Sequence, residues 1–184
     1  MQCGVASLAM ACSALGVRYS LDTLERYCHP TKEGVSMKGI ADAARELGLE
    51  AMAYRMTEEQ LREIFGPEAR KRGETPEAAI LHWNQNHFVV VYGMNQRGTR
   101  YKIADPGKGM MTISREELRQ HWGKEENGGV HRGIAMFLDA TEEFGVRVAP
   151  DNEDGDEEKR SWRFLSGYVT HYRKYFLRIG IWLG

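Results

Sequence analysis

Met1-Gln2-Cys3-Gly4-Val5-Ala6-Ser7-Leu8-Ala9-Met10-Ala11-Cys12 opens the chain, and a cysteine running straight into small and apolar residues decides how the rest is read. Gly4, Ala6, Ser7, Ala9 and Ala11 suit a buried helix whose backbone lies close to its neighbours. Cys3 stands at the start of that helix, where amide N–H groups lack intrahelical partners and the helix dipole favours negative charge. A thiolate is favoured there, and a thiolate attacks carbonyl carbon far better than a thiol does. Cys3 is therefore a candidate nucleophile for peptide or ester cleavage. The plain alternative is a small buried hydrophobe.

Outward from that stretch the first third reads as helical. Residues 5 to 15 form a first helix ended by Gly16, and Ser20 caps a second through Leu21, Leu24 and Tyr27 to about Cys28, before Pro30. Ser36 starts a third, with Met37, Ile40, Ala41, Ala44 and Leu47 at helical spacing and Gly48 as its stop. Leu49 to Arg55 reads as a short strand, and Thr57 with Gln60 makes a capping-box pattern ahead of a helix to about Phe65. Residues 66 to 77, with two glycines and two prolines among many charges, read as a solvated loop.

From Ala78 the period becomes strand-like. Ala79 to Trp83, His87 to Gly93, Tyr101 to Asp105 and Met110 to Ile113, separated by turn residues, predict an antiparallel meander. Ser114 and Glu117 cap a short helix to about Trp122, and about Arg132 to Leu138 supplies the last strand. The fold class is α+β, helices first and an antiparallel sheet afterwards.

The 184 residues, 42% hydrophobic, can build one domain with a real core. A net charge of -1 gives no whole-chain attraction to nucleic acid, and no zinc-finger or RNA-recognition pattern occurs, so no nucleic-acid partner is expected. The cysteines Cys3, Cys12 and Cys28 are odd in number and lack Cys-x-x-Cys spacing. That argues against a disulfide framework and a structural zinc site, and fits a reducing compartment. No secretory signal opens the sequence. No cofactor or metal is expected.

A cysteine nucleophile needs a base that takes its proton and returns it to the leaving amine, and that imidazole needs a partner fixing its tautomer. His87 at a strand start and Asp105 at a strand end fill these roles in the second half. The structural alternatives are a histidine that merely begins a buried strand and an aspartate serving the Pro106-Gly107 turn. His82 is the competing base; an odd separation from His87 sets it on the opposite sheet face if the strand runs unbroken. His121 and His131 read as solvated.

Five motifs in this order, Cys3-Gly4-Val5-Ala6-Ser7-Leu8, Gly34-Val35-Ser36-Met37, Ile80-Leu81-His82-Trp83, His87-Phe88-Val89-Val90 and Asp105-Pro106-Gly107-Lys108-Gly109, resemble the papain-like peptidase domain of bacteriocin-exporting ABC transporters over about residues 1 to 140. Each motif is weak alone and specific in combination. The resemblance implies a papain-like α+β fold, cleavage of leader peptides after a double-glycine-type motif, and Cys3, His87 and Asp105 as nucleophile, base and orienting partner. It also implies, as partners, a leader peptide and the transmembrane and ATP-binding domains of an exporter at the cytoplasmic face of the bacterial inner membrane. One departure stands out. In that family a glutamine six residues before the cysteine contributes to the oxyanion hole, whereas only Met1 and Gln2 precede Cys3, and Gln2 is at the wrong position. The expectation is that the natural chain extends upstream.

Past residue 149 the composition shifts. Pro150 to Glu158 is an acidic run, so 1–149 is expected as the peptidase domain and 150–160 as an acidic linker. Residues 161–184 carry Arg163, Arg173, Lys174 and Arg178 with apolar and aromatic positions at helical spacing. A basic amphipathic helix suits a membrane surface and is too short in its apolar run to span a bilayer. By resemblance, Ile179 to Leu183 is where a first membrane helix is expected to begin; the alternative is a helix docked on the core. No Walker pattern occurs, so an ATP-binding part is not in this chain. Two rivals stand beside the peptidase: a non-catalytic domain that only docks cargo for export, and a metal hydrolase using Cys3, His82, His87 and Asp105, which lacks ligand spacing.

Overall fold

A computed structural model describes residues 3–32, 34–126 and 129–151. Residues 152–184, and with them most of the expected linker and all of the expected amphipathic helix, lie outside the described residues. The elements in chain order are α1 (Cys3–Ala14), α2 (Leu21–Cys28), α3 (Met37–Glu46), β1 (Leu49–Met56), α4 (Glu58–Phe65), α5 (Pro67–Arg72), β2 (Ala79–Trp83), β3 (His87–Met94), β4 (Arg100–Asp105), β5 (Gly109–Ser114), α6 (Arg115–His121), β6 (Lys124–Glu126) and β7 (Val130–Ala140). Helices precede an antiparallel sheet, as the change of hydrophobic period predicts.

The helix starts are chemically local. Ser20, Ser36 and Ser114 each accept a hydrogen bond from the backbone N–H three residues on. Thr57 and Gln60 close a capping box in both directions at α4. Each such cap satisfies a donor that the helix cannot bond itself.

The stretch read as a loop after Phe65 contains α5, which corrects that expectation. Pro67 sits at its first turn with φ preset for a helix, and Gly73 ends it at φ 70. The glycines and prolines thus bracket a short helix rather than interrupt one. Ala69 is its buried contact, and Arg70 Nη2 donates to the Met94 carbonyl at 2.5 Å, tying α5 to β3.

The sheet runs β1-β7-β2-β3-β4-β5, with β6 pairing β7. Last in sequence, β7 is interior in space: it pairs β1 from Leu49↔Ala140 to Met56↔Gly133 and β2 from Ala79↔Phe137 to Leu81↔Ala135. One face of the sheet is covered by α4 and α6, where Leu61, Phe65, Leu118 and Trp122 pack with Leu81, Trp83, Val89, Val91 and Ile103. The N-terminal helices cover the other, α1 against β3 and α3 against β1. The segment after β7 folds back: Tyr19 Oη donates to the Val148 carbonyl at 2.9 Å, and the Asp151 carboxylate accepts from Ser20 N and Thr23 Oγ1. The compact unit therefore extends through Asp151.

One buried carboxylate pins three elements. Glu58, 2% exposed, accepts from Arg115 Nε at 2.7 Å and Nη2 at 2.6 Å, from Arg119 Nη2 at 2.9 Å and from Tyr101 Oη at 2.7 Å. Burial pushes its pKa up, but the hydrogen bonds and charges of Arg115, Tyr101 and Arg119 prevail and hold the carboxyl below its ordinary range. Burial and Glu58 together push the Tyr101 phenol up. A carboxyl depressed in the folded state contributes stability above its unfolded pKa, about 4.3, and loses it as pH falls through the folded value. Glu58→Gln is therefore expected to cost about 2 kcal/mol at pH 7, the arginines being partly exposed. The gap should narrow below about pH 4. Urea unfolding at both pH values checks it; a gap that widens in acid contradicts it.

Candidate active site

Antiparallel pairing of Val90↔Ala104 and Val91↔Ile103 sets the start of β3 beside the end of β4. His87 and Asp105 occupy those two ends, and His87 Nε2 lies 2.8 Å from Asp105 Oδ1. Asp105 is 3% exposed and His87 27% exposed, so a buried carboxylate orients a reachable imidazole. The same Oδ1 accepts from Gly107 N at 2.8 Å, and Lys108 N donates to the Asp105 carbonyl at 3.1 Å. Asp105 thus both shapes the Pro106-Gly107 turn and holds His87; the two sequence readings of it are compatible. With Nε2–H donated to the carboxylate, Nδ1 carries the lone pair of a neutral imidazole, the form a general base needs.

Cys3 is the first residue of α1 and is half-buried. Gly4 shows why small residues line this helix. A Cβ there would stand 3.2 Å from Ile40 Cδ1 and Val35 Cβ and 3.4 Å from the Phe88 ring. The first turn of α1 is therefore pressed against the strand residue that follows His87. Val35 belongs to the Gly34-Val35-Ser36-Met37 motif, which serves α1 by this contact and α3 by the Ser36 cap.

Cys12 and Cys28 are buried in α1 and α2. Burial pushes the Cys12 thiol up; burial and Glu25 push Cys28 up to about 11. Both stay protonated at neutral pH. Limited iodoacetamide is therefore expected to modify Cys3 first, which peptide mapping by mass spectrometry checks. Faster labelling of Cys12 or Cys28 in the folded protein would contradict it.

The β2–β3 register pairs His82 with Phe88 and Trp83 with His87. Paired residues share a face and successive residues alternate, so His82 and His87 face opposite sides. The His82 ring stacks on Phe88 with centroids 5.3 Å apart, whereas His87 has the carboxylate partner. His121 and His131, read from sequence as solvated, are both engaged. His121 stacks on Trp83 and bonds Asn84, and His131 Nε2 lies 2.9 Å from the Trp122 carbonyl. No local pattern marks these contacts, because their partners come from other elements.

Residues 1–125 match the Peptidase C39 family. The chain is 33% identical over 121 residues to the colicin V secretion/processing ATP-binding protein CvaB of Escherichia coli, covering 66% of this chain and 16% of that protein. To the transport/processing ATP-binding protein ComA of Streptococcus pneumoniae it is 30% identical over 140 residues, covering 75% and 17%. The chain thus corresponds to a small part of these relatives. Among solved structures, a double glycine motif protease from an AMS/PCAT transporter, in complex with the leader peptide, superimposes with a TM-score of 0.59 at 30% identity, over 76% of this chain and 85% of that one. A histidine held by a buried aspartate, on a sheet backed by a helix that begins in Cys-Gly, sits within the matched span, and the chain belongs to the Peptidase C39 family.

Proposed function

We propose that this domain is an active cysteine peptidase that cuts leader peptides after a double-glycine motif, as part of an ABC transporter that exports the remainder. The 2.8 Å bond between His87 and buried Asp105 carries the reading, because it builds an oriented base on the fold whose N-terminal helix begins at Cys3. The double glycine motif protease solved with its leader peptide supports the substrate class.

In this reading Cys3 Sγ gives its proton to His87 Nδ1 and attacks the carbonyl carbon of the second glycine. The negative charge moves to the carbonyl oxygen, where first-turn amides of α1, which have no intrahelical acceptor, donate to it. The His87 imidazolium, stabilised by Asp105, protonates the leaving amine as the C–N bond breaks, and the leader remains as a thioester on Cys3. Water, deprotonated by His87, attacks that thioester and releases the leader carboxylate and the free thiol.

The transmembrane and ATP-binding domains of an exporter are the proposed partners, at the cytoplasmic face of the membrane, in keeping with the secretion and transport names of the relatives. Among the described residues no helix is long and apolar enough to cross a membrane.

Two glycines fit a narrow channel beside the nucleophile. Replacing both by leucine in a synthetic leader is expected to abolish cleavage while changing affinity by no more than about threefold, since larger side chains collide only at the cut site. Mass spectrometry of the products and fluorescence anisotropy of the labelled peptide measure the two effects. Equal cleavage of the leucine peptide would overturn the proposed specificity.

A further inference from the structure

The turn that delivers His87 has a backbone that its own residues do not favour. Asn86 N donates to the Trp83 carbonyl at 3.2 Å, closing a tight turn in which Asn84 has φ 46 and Gln85 has φ 64. Two successive left-handed residues define the mirror-image hairpin turn, where glycine commonly takes the second place. Asparagine tolerates this conformation; glutamine, with a full side chain and no short amide to bond locally, does so poorly. Something outside the turn must hold it.

His121, at the end of α6, is positioned to do so. Its carbonyl accepts from Asn84 N at 2.8 Å, and its Nδ1–H donates to Asn84 Oδ1 at 2.9 Å, a reciprocal pair that fixes both backbone and side chain of the first turn residue. Its ring stacks on Trp83, with centroids 5.3 Å apart and planes 24° apart. Trp83 is the strand partner of His87. His121 therefore grips the residue opposite His87 and the residue that begins the turn leading to it.

His121 is itself fixed from behind. Trp122, 1% exposed, donates from Nε1 to the Ile134 carbonyl at 2.9 Å, and a Cβ on Gly133 would fall 2.3 Å from its ring. The glycine lets β7 carry the indole in direct contact. A continuous path of packed and hydrogen-bonded groups runs from β7 through Trp122 and His121 to Asn84 and the Trp83↔His87 pair.

We infer that Asn84 and His121 are positioning residues for the base, clamping the β2–β3 turn so that the His87 ring is held on Asp105. The inference rests on the proposed assignment of Cys3, His87 and Asp105. Without the clamp the left-handed pair relaxes, and the Trp83↔His87 pair, last before the turn, frays first. Asp105 still binds the ring, but over a broader range of orientations. A base misplaced in this way slows proton transfer and leaves leader binding untouched, so the effect belongs in kcat.

The test uses the full 184-residue chain with a synthetic double-glycine leader peptide and, separately, the rate of Cys3 alkylation by iodoacetamide at pH 6. His121→Ala removes ring and bond. His121→Asn keeps an amide N–H in place of Nδ1–H. Asn84→Gly keeps the left-handed backbone but loses the side-chain bond, and serves if His121→Ala does not fold. His121→Ala and Asn84→Gly are each expected to lower kcat about 10-fold with KM within about twofold, and to slow alkylation of Cys3. His121→Asn should recover most of kcat. Unchanged kcat and alkylation in folded His121→Ala and Asn84→Gly would overturn the clamp, as would a fall in kcat that His121→Asn does not relieve. His87→Ala keeps the underlying assignment separate: if it leaves cleavage and alkylation unaltered, that assignment fails whatever His121 does. If it abolishes cleavage while the His121 variants cut normally, only the clamp is lost.

Discussion

Cys3→Ala is expected to remove leader cleavage, a fall on the order of 10⁴-fold or more, while leader affinity stays within about twofold. The separation follows from what the thiol does. In the proposed mechanism it forms and breaks the covalent bond, yet it adds little contact area to a peptide held along the surface. Cys12→Ala and Cys28→Ala are the matched controls, because both thiols are buried and protonated and neither begins a helix. Single-turnover cleavage followed by mass spectrometry gives the rate, and anisotropy with a labelled leader gives the affinity. Cleavage by Cys3→Ala at the parent rate would remove Cys3 from the mechanism. A parent chain that binds the leader tightly and never cuts it would favour a domain that only docks cargo.

The second large effect lies in the His87–Asp105 pair, the proposed base and its orienting partner. His87→Ala and Asp105→Asn are each expected to lower kcat by about 10³- to 10⁴-fold, the scale seen when a catalytic imidazole is lost or left in the wrong tautomer. Asp105→Asn is the sharper experiment. Its side-chain oxygen can still accept from Gly107 N, which preserves the turn, but the amide no longer stabilises an imidazolium. His82→Ala provides the comparison: the ring stacks on Phe88, so its loss should cost stability and little of kcat. A larger loss of kcat from His82→Ala than from His87→Ala would transfer the role of base to His82.

The helices of this domain were readable because their signals are local. Ser20, Ser36, Ser114 and the Thr57–Gln60 pair each act within three residues of the helix they start. The strands were readable for a similar reason, since β-branched and aromatic runs between turn residues specify extended chain whatever its neighbours. Cys3, His87 and Asp105 were individually legible by residue type and by position at element ends. The helix α5 was not, because its bracketing proline and glycine are the same residues that mark a loop. Neither was β6, which spans only Lys124–Glu126.

What the chain's order could not disclose is who stands next to whom. The interior place of β7, the three donors on Glu58, the His87–Asp105 bond and the grip of His121 on Asn84 all join residues 18 or more apart in sequence. A capping serine needs only its own helix, and its contribution is settled within one turn of chain. A pairing between distant segments is worth its entropic cost only after many such pairings form together around one core, so it depends on the whole fold. Local chemistry specified most of the helices and strands and the groups they carry; that a buried carboxylate meets His87 and not His82 followed only from packing the sheet between its helices, which brings β3 and β4 into register.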